Sequence, residues 1–332
     1  MKKTMYLYIL VIGLLMTACY QEDPIEPTPP GSSSTERFAF PQGTNDYDMA
    51  AQKIFEDFGV KIIYKGFNER DFNLTWTTPA FGKVGNDIPK DQEKDAVDFM
   101  VNQFFAFLTP QISRKVLPPY YYIADSVRQK TILNSNNGEV ENQGTTNFIY
   151  TGLDFWFVGW NNASSYRKYV ATGEYITGPS VPELRPKTPF AVFYRRGTII
   201  KEVYKKAVEI GNIVPPVGFA DGLDFVTKVE SAVAKKDDPN YYMKRGFPGY
   251  MNNTLNFKMN PITVVTQTSP VLIFTNYIHL CMRYTPDSIA ILYPQKDYPI
   301  IHEKYPIVLE HMKTKYNIDL TKIATKPEKG YQ

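Results

Sequence analysis

Residues 201–205 read Lys-Glu-Val-Tyr-Lys. A zinc helix carries two histidines four residues apart, with a glutamate after the first to serve as general base. Here Glu202 holds the place of that base, and Lys201 and Lys205 hold the places of both ligands. A zinc ligand must offer a lone pair. A lysine ammonium offers only donors, and two of them repel a dication. At about 100° per residue, a helix over roughly 194–211, ended by Gly211, separates into two sides. Val203, Ala207, Ile200, Tyr204, Val208 and Ile210 share one with Ile199, and Lys201, Lys205, Glu209, Glu202 and Lys206 share the other. That division predicts a solvated face carrying both lysines, with Glu202 near Lys205 and Lys206 at helical-neighbour spacing.

Other candidate chemistry is sparse. The three histidines are His279, His302 and His311. His302-Glu303 begins like a zinc motif, but Pro306 stands where the second histidine belongs. His302 and His311 cannot share one helical face, so all three read as surface or packing residues. Cys281 lies in an apolar run and reads as core. No G-x-S-x-G string and no phosphate-binding glycine loop occurs. The aromatic strings 118–123 and 155–162 could stack a sugar or a peptide, although buried strand aromatics are the simpler reading. Trp76, in a polar stretch, is the better candidate for an exposed aromatic.

The chain that must position these residues has 332 of them, with 43% hydrophobic and 14% aromatic content. That suffices for a sizeable core. Net charge is +3, from 37 basic and 34 acidic residues, which leaves no electrostatic case for nucleic acid. Lys2 and Lys3 precede an apolar stretch from Met5 to Met16, of signal-peptide length and too short for a usual membrane span. It closes in Leu-Met-Thr-Ala-Cys19, which resembles a bacterial lipobox. Residues 1–18 are therefore expected to be a lipoprotein signal peptide and Cys19 the lipidated start of the mature chain. The region 19–45 opens with acids, prolines and serines that cannot build a core, and reads as a tether. Gln21-Glu22-Asp23 is similar to the acidic signal of surface-exposed lipoproteins. The one other cysteine is Cys281, so with Cys19 lipidated no internal disulfide can form.

Helices are expected over 46–58, 90–108, 194–211, 269–284 and about 304–316, with a short helical stretch after Pro110. Strands are expected in 60–67 and 120–127, and 148–160 reads as a buried central strand. Residues 161–190 read as loop. With strands mostly before 160 and helices mostly after it, the fold class is α+β, as a single domain over 46–332.

The order of these pieces resembles the zinc-binding metallopeptidase lipoproteins associated with substrate import. Their features include a lipobox and tether, a helix ending in Phe58-Gly59, the strand at 60–67, the stretch 71–79 and a zinc helix. A turn like 245–250 and the string Asn-Ile-Asp-Leu at 317–320 follow. The resemblance spans nearly all of the mature chain and implies a zincin-like fold. It also implies an outer-membrane, surface-exposed location beside a TonB-dependent importer. This chain departs from the pattern at both histidines. The helix expected to bring an acid to the site, 270–283, contains none. The expectation is a non-catalytic accessory or binding protein, with no zinc, and with Lys201, Lys205 and Trp76 as candidate ligand contacts for a peptide or glycan. Paired lysines in a groove would favour an anion. An active hydrolase with an unrecognised site, and a purely structural or adhesive surface protein, are the alternatives.

Overall fold

The computed structural model describes residues 37–74, 82–135, 138–145, 150–161, 166–169, 175–177, 185–251 and 257–331. Cys19, most of the tether and Trp76 lie outside them. One unit extends from Phe40 to Gln332. Its first helix, α1 (Asp46–Phe58), has the predicted bounds. The Asp48 carboxylate accepts the Asn45 backbone N–H at 2.9 Å and caps the start. Gly59 ends it in the left-handed region, at φ 71°, where a glycine carries no Cβ penalty.

The second helix departs from expectation. α2 (Glu93–Phe99) passes through a π turn, Met100–Phe104, and a 3-10 turn, Phe105–Phe107. The extra residue of the π turn breaks the regular periodicity. Phe104 and Phe105 are adjacent yet both buried, and Gln103 reaches Arg196 at 2.8 Å. The short α3 (Pro110–Ser113) follows as expected.

The large sheet is built from β1 (Lys61–Ile63), β2 (Lys83–Asn86), β3 (Tyr120–Ser135), β4 (Gly138–Thr145), β5 (Tyr150–Thr151), β6 (Phe155–Gly159), β7 (Tyr166–Tyr169) and β8 (Tyr175–Thr177). Its order is β5-β6-β3-β4-β7-β8, with β1 and β2 also paired to β3. The first part of β3 runs parallel to β1 and β6, with Tyr121 opposite both Ile62 and Trp156. It then pairs antiparallel with β2, from Asp125 opposite Asn86, and from Arg128 onward also with β4. Ser126, at φ 49°, lies at the changeover. The apolar run 148–160 is not one strand: it folds back as β5 and β6, with Tyr150 opposite Phe157. Every residue of β6 is buried, as expected for a strand covered on both faces. Two strands, β7 and β8, lie within the region that reads as loop.

The remaining elements are α4 (Pro189–Glu209), β9 (Tyr250–Met251), β10 (Met259–Asn260), α5 (Pro270–Arg283), α6 (Pro286–Leu292), α7 (Pro299–Tyr316) and α8 (Leu320–Ala324). A hydroxyl followed by proline opens α4, α5 and α6. Thr188 Oγ1 accepts from Ala191 N at 3.1 Å, Ser269 Oγ from Leu272 N at 3.2 Å, and Thr285 Oγ1 from Ser288 N at 3.3 Å. This cap places the start of α4 five residues before the predicted 194, and α7 likewise begins earlier than 304. With the large sheet before residue 180 and most helix after it, the class is α+β as read. Among the described residues no helix is long and apolar enough to cross a membrane.

One core joins sheet and helices. Tyr121, Trp156, Val158 and Trp160 of the sheet region meet Phe99, Phe104 and Phe105 of the α2 segment. α4 packs against α3, α5, α8 and the π turn. The aromatic strings are thus mainly core. Tyr121, Tyr122, Phe155, Trp156, Phe157 and Trp160 are all buried, which removes them as stacking platforms.

Candidate functional site

α4 is enclosed along much of its length, not only on the apolar side of the wheel. Arg195, Arg196, Gly197 and Thr198 are all buried. Arg195 donates to the Gly159 carbonyl, and Arg196 to Ile323 O at 2.7 Å. Gly197 is where Phe257 closes on the helix: a Cβ there would lie 2.3 Å from the ring.

Lys201 corrects the wheel reading. It is 2% exposed, because α5 covers the part of α4 that periodicity assigned to water. Its Nζ lies 3.5 Å from Glu202 Oε1. Desolvation lowers its pKa, and the Glu202 charge and hydrogen bond oppose that change. Glu202 itself is half-buried. Its charge also helps raise the pKa of the buried Tyr121 hydroxyl, for which burial is the main cause. Lys205 is partly exposed and lies 3.8 Å from Glu209, so the predicted pairing of Glu202 with Lys205 is replaced by Lys201–Glu202 and Lys205–Glu209. Ile210, on the apolar side of the wheel, is exposed at the helix end.

Between α4, α5 and β9 is a cleft of about 400 Å³. Lys205, Val208 and Glu209 line it from α4, and Tyr250 and Met251 from β9. α5 contributes the exposed Val271 and Leu272 and the buried Thr275, Asn276 and His279. The turn before β9 is held against α5 by the Tyr277 hydroxyl, which donates to Gly246 O at 2.8 Å. Of the two lysines of the motif, only Lys205 lines this cleft; Lys201 and Glu202 do not.

His279 is the residue that sequence reasoning missed. It is 4% exposed, and neither ring nitrogen makes a hydrogen bond. Burial lowers its pKa to about 3, with Lys201 and Lys205 adding charge repulsion. The nearby Lys201 backbone works the other way, without reaching hydrogen-bond geometry. The imidazole is therefore neutral at ordinary pH, with one donor and one acceptor. The signal was present in the sequence: Thr275, Asn276 and His279 form one polar stripe on an otherwise apolar helix. The other two histidines are tied to backbone carbonyls, His302 Nε2 to Tyr293 O at 2.5 Å and His311 Nε2 to Val214 O at 2.8 Å. Cys281 is buried core, as expected.

The residues present do not suit zinc. The two ligand positions carry ammonium groups, one of them buried against a carboxylate. Among the described residues no three of His, Cys, Asp and Glu gather to hold a metal ion. A wider depression of about 710 Å³ lies between α2 and the C-terminal tail, lined by Lys94, Asp95, Asp98 and Lys329. Its charges are at the surface and Lys94 is paired with Asp98, so it lacks the buried, unpartnered polar group that distinguishes the α4–α5 cleft.

No family model matches the chain, and no curated protein matches it in sequence. Among solved structures, that of a "putative zinc-binding metallo-peptidase" from Bacteroides caccae aligns with 85% of this chain and 91% of its own, at 12% identity and a TM-score of 0.40. The α+β assignment stands on the strands and helices described above.

Proposed function

We propose that this chain is a lipid-anchored surface protein whose metallopeptidase-like domain binds a ligand rather than cleaving one, as an accessory to TonB-dependent nutrient import. The supporting observation is the α4–α5 cleft. A binding pocket is a concave, mostly apolar space with a few convergent polar groups, and this cleft has that composition. The ammonium groups of Lys201 and Lys205 stand where a metallopeptidase would present imidazoles, so Glu202 has no metal-bound water to deprotonate.

The metal part of the proposal is tested on purified protein. Zinc analysis after dialysis should give far less than one equivalent, and a chelator should leave the melting temperature unchanged. A bound metal stabilises the folded state by mass action, so one zinc per chain, or a chelator-induced drop in Tm, would overturn the non-catalytic reading.

Anchoring is tested separately. Cys19→Ser should move the protein from the membrane fraction to a soluble or unprocessed form, because its lipid attachment point is gone. A variant that still fractionates as a lipidated membrane protein would refute the lipobox assignment. A tether matters to the proposed role because it raises the effective concentration of a weakly binding domain beside its partner. Co-purification with an importer under gentle extraction is the corresponding check on partnership.

A further inference from the structure

We propose that the α4–α5 cleft takes a small uncharged amphipath: an apolar body carrying one head group that both donates and accepts a hydrogen bond, such as a carboxamide or an alcohol. This inference rests on reading the cleft as a binding site and specifies what fills it.

The head group follows from His279. A buried polar atom without a partner is costly to the fold, by about 1–3 kcal/mol, and His279, a residue of the cleft wall, has two. A ligand that satisfies either nitrogen relieves that penalty, so binding is strengthened beyond simple apolar contact. As a neutral imidazole, His279 asks for an acceptor on one nitrogen and a donor on the other. Asn276 lies one turn before it on the same wall of the cleft and has the same dual character. Thr275 already donates to Val271 O at 2.9 Å, leaving its oxygen to accept. The polar end of the cleft thus mixes donors with acceptors, and an uncharged head of mixed character is its complement.

The nearby charges are balanced in pairs. Lys201 faces Glu202 at 3.5 Å, and Lys205 faces Glu209 at 3.8 Å. A ligand carboxylate brought to His279 would lose its water in a place where each cation has an anion beside it. An ammonium would lose its water next to two cations. Both ions therefore carry a desolvation penalty without a dedicated counter-charge. The expectation of an anionic ligand, which required both lysines in the groove, gives way to an uncharged one because Lys201 is buried outside the lining. The body of the ligand is set by Val208, Met251, Val271 and Leu272, which make the rest of the cleft predominantly apolar.

The test uses three probes of one shape: hexanamide, hexanoate and hexylammonium, titrated into purified protein and followed by ligand-observed NMR. Hexanamide should bind at least about ten-fold more tightly than either ion. His279→Leu, which keeps the site filled without polar atoms, should weaken hexanamide by about ten-fold, the equivalent of one good hydrogen bond. Leu272→Glu alters an exposed position of the lining, so it should fold and should weaken hexanamide by narrowing the apolar part. Hexanoate binding as tightly as hexanamide would overturn the uncharged-head assignment while leaving the cleft a binding site. Unchanged hexanamide affinity in folded His279→Leu would overturn the role given to the imidazole. No measurable binding of any probe at tens of millimolar would overturn the cleft as a small-molecule site, and the binding function proposed above would fall with it.

Discussion

Gly197→Ala is expected to destabilise the protein by about 3 kcal/mol, opposite in sign to the usual effect of that change within a helix. In an ordinary helix interior, replacing glycine by alanine gains about 1 kcal/mol. Gly197 differs because Phe257 occupies the space a side chain would take, with ring atoms 2.3–2.5 Å from the position of a Cβ. The ring cannot simply yield. It is fully buried, meets Phe193 edge-on at 5.3 Å, and has the Arg283 guanidinium 5.4 Å from its centre. Forcing extra volume into such a core costs about 1–3 kcal/mol and occasionally more. Denaturant unfolding of the single variant gives the number, and a double-mutant cycle gives the cause. Phe257→Ala alone should cost about 3–5 kcal/mol through the cavity it leaves. Combined with Gly197→Ala, the new methyl enters that cavity, so the double variant should be about 2 kcal/mol more stable than additivity allows. A stabilising Gly197→Ala, or strict additivity, would show that the ring does not hold the helix.

The second large effect is a loss of stability in acid that runs through one histidine. The folded His279 pKa is lowered from 6.5 to about 3, first by burial and then by Lys201 and Lys205. Glu202 and Glu209, the partners of those lysines, are the nearby opposing charges. In the unfolded chain the imidazole accepts a proton below its ordinary pKa, whereas in the folded protein it cannot. Protons therefore favour unfolding as pH falls. The contribution of His279 is fully present above pH 6.5 and is lost progressively between 6.5 and about 3. Over that window the loss approaches about 5 kcal/mol, since one pKa unit corresponds to about 1.4 kcal/mol. His279→Leu should equal or exceed wild-type stability near neutrality, because it removes two unsatisfied buried nitrogens. Its advantage should then widen steadily on acidification, as measured by urea unfolding at successive pH values. An advantage that stays constant from about pH 7 to pH 4 would mean that the imidazole is hydrated in the folded state.

Much of the fold was legible because local signals and tertiary context agree. In α1 the apolar spacing and Gly59 lead to the helix observed. In α5 the Ser269-Pro270 start and the apolar run do the same. What failed were places where tertiary context overrides local pattern. The run 148–160 is apolar throughout, and periodicity cannot show where such a run turns back on itself. Strands β7 and β8 lie in a stretch whose prolines and glycines argue for loop. β7 is paired by β4, whose sequence gives no sign of needing a further partner, and β8 is paired in turn by β7.

The cleft was legible only in part. The string at 201–205 lies on a helix that borders it, and Lys205 lines it while Lys201 does not. Periodicity assigns Lys201 to solvent because a helical wheel knows only one helix. The element that buries it, α5, begins sixty residues after α4 ends. His279 reads as a packing residue because a lone histidine in an apolar helix usually packs quietly. The polar stripe it forms with Thr275 and Asn276 is the local sign, and its two unpartnered nitrogens on a cleft-lining ring give that stripe its meaning.

The change of partners along β3 has a consequence for how the molecule breathes. The parallel group around β1 and β6 and the antiparallel group around β2 and β4 share a single continuous strand and meet next to Ser126, where Ala124 pairs with Gly159 and Asp125 with Asn86. Neither group has a complete ladder without it. Local opening is usually confined to cooperative units that can detach from their surroundings. Here, pulling β3 out of one group also disturbs the other, so subglobal opening should start at peripheral strands such as β7 and β8 and stop short of β3. In amide hydrogen exchange, the paired amides on both sides of Ser126 should then exchange at closely similar free energies, as one block that opens only when the whole sheet does.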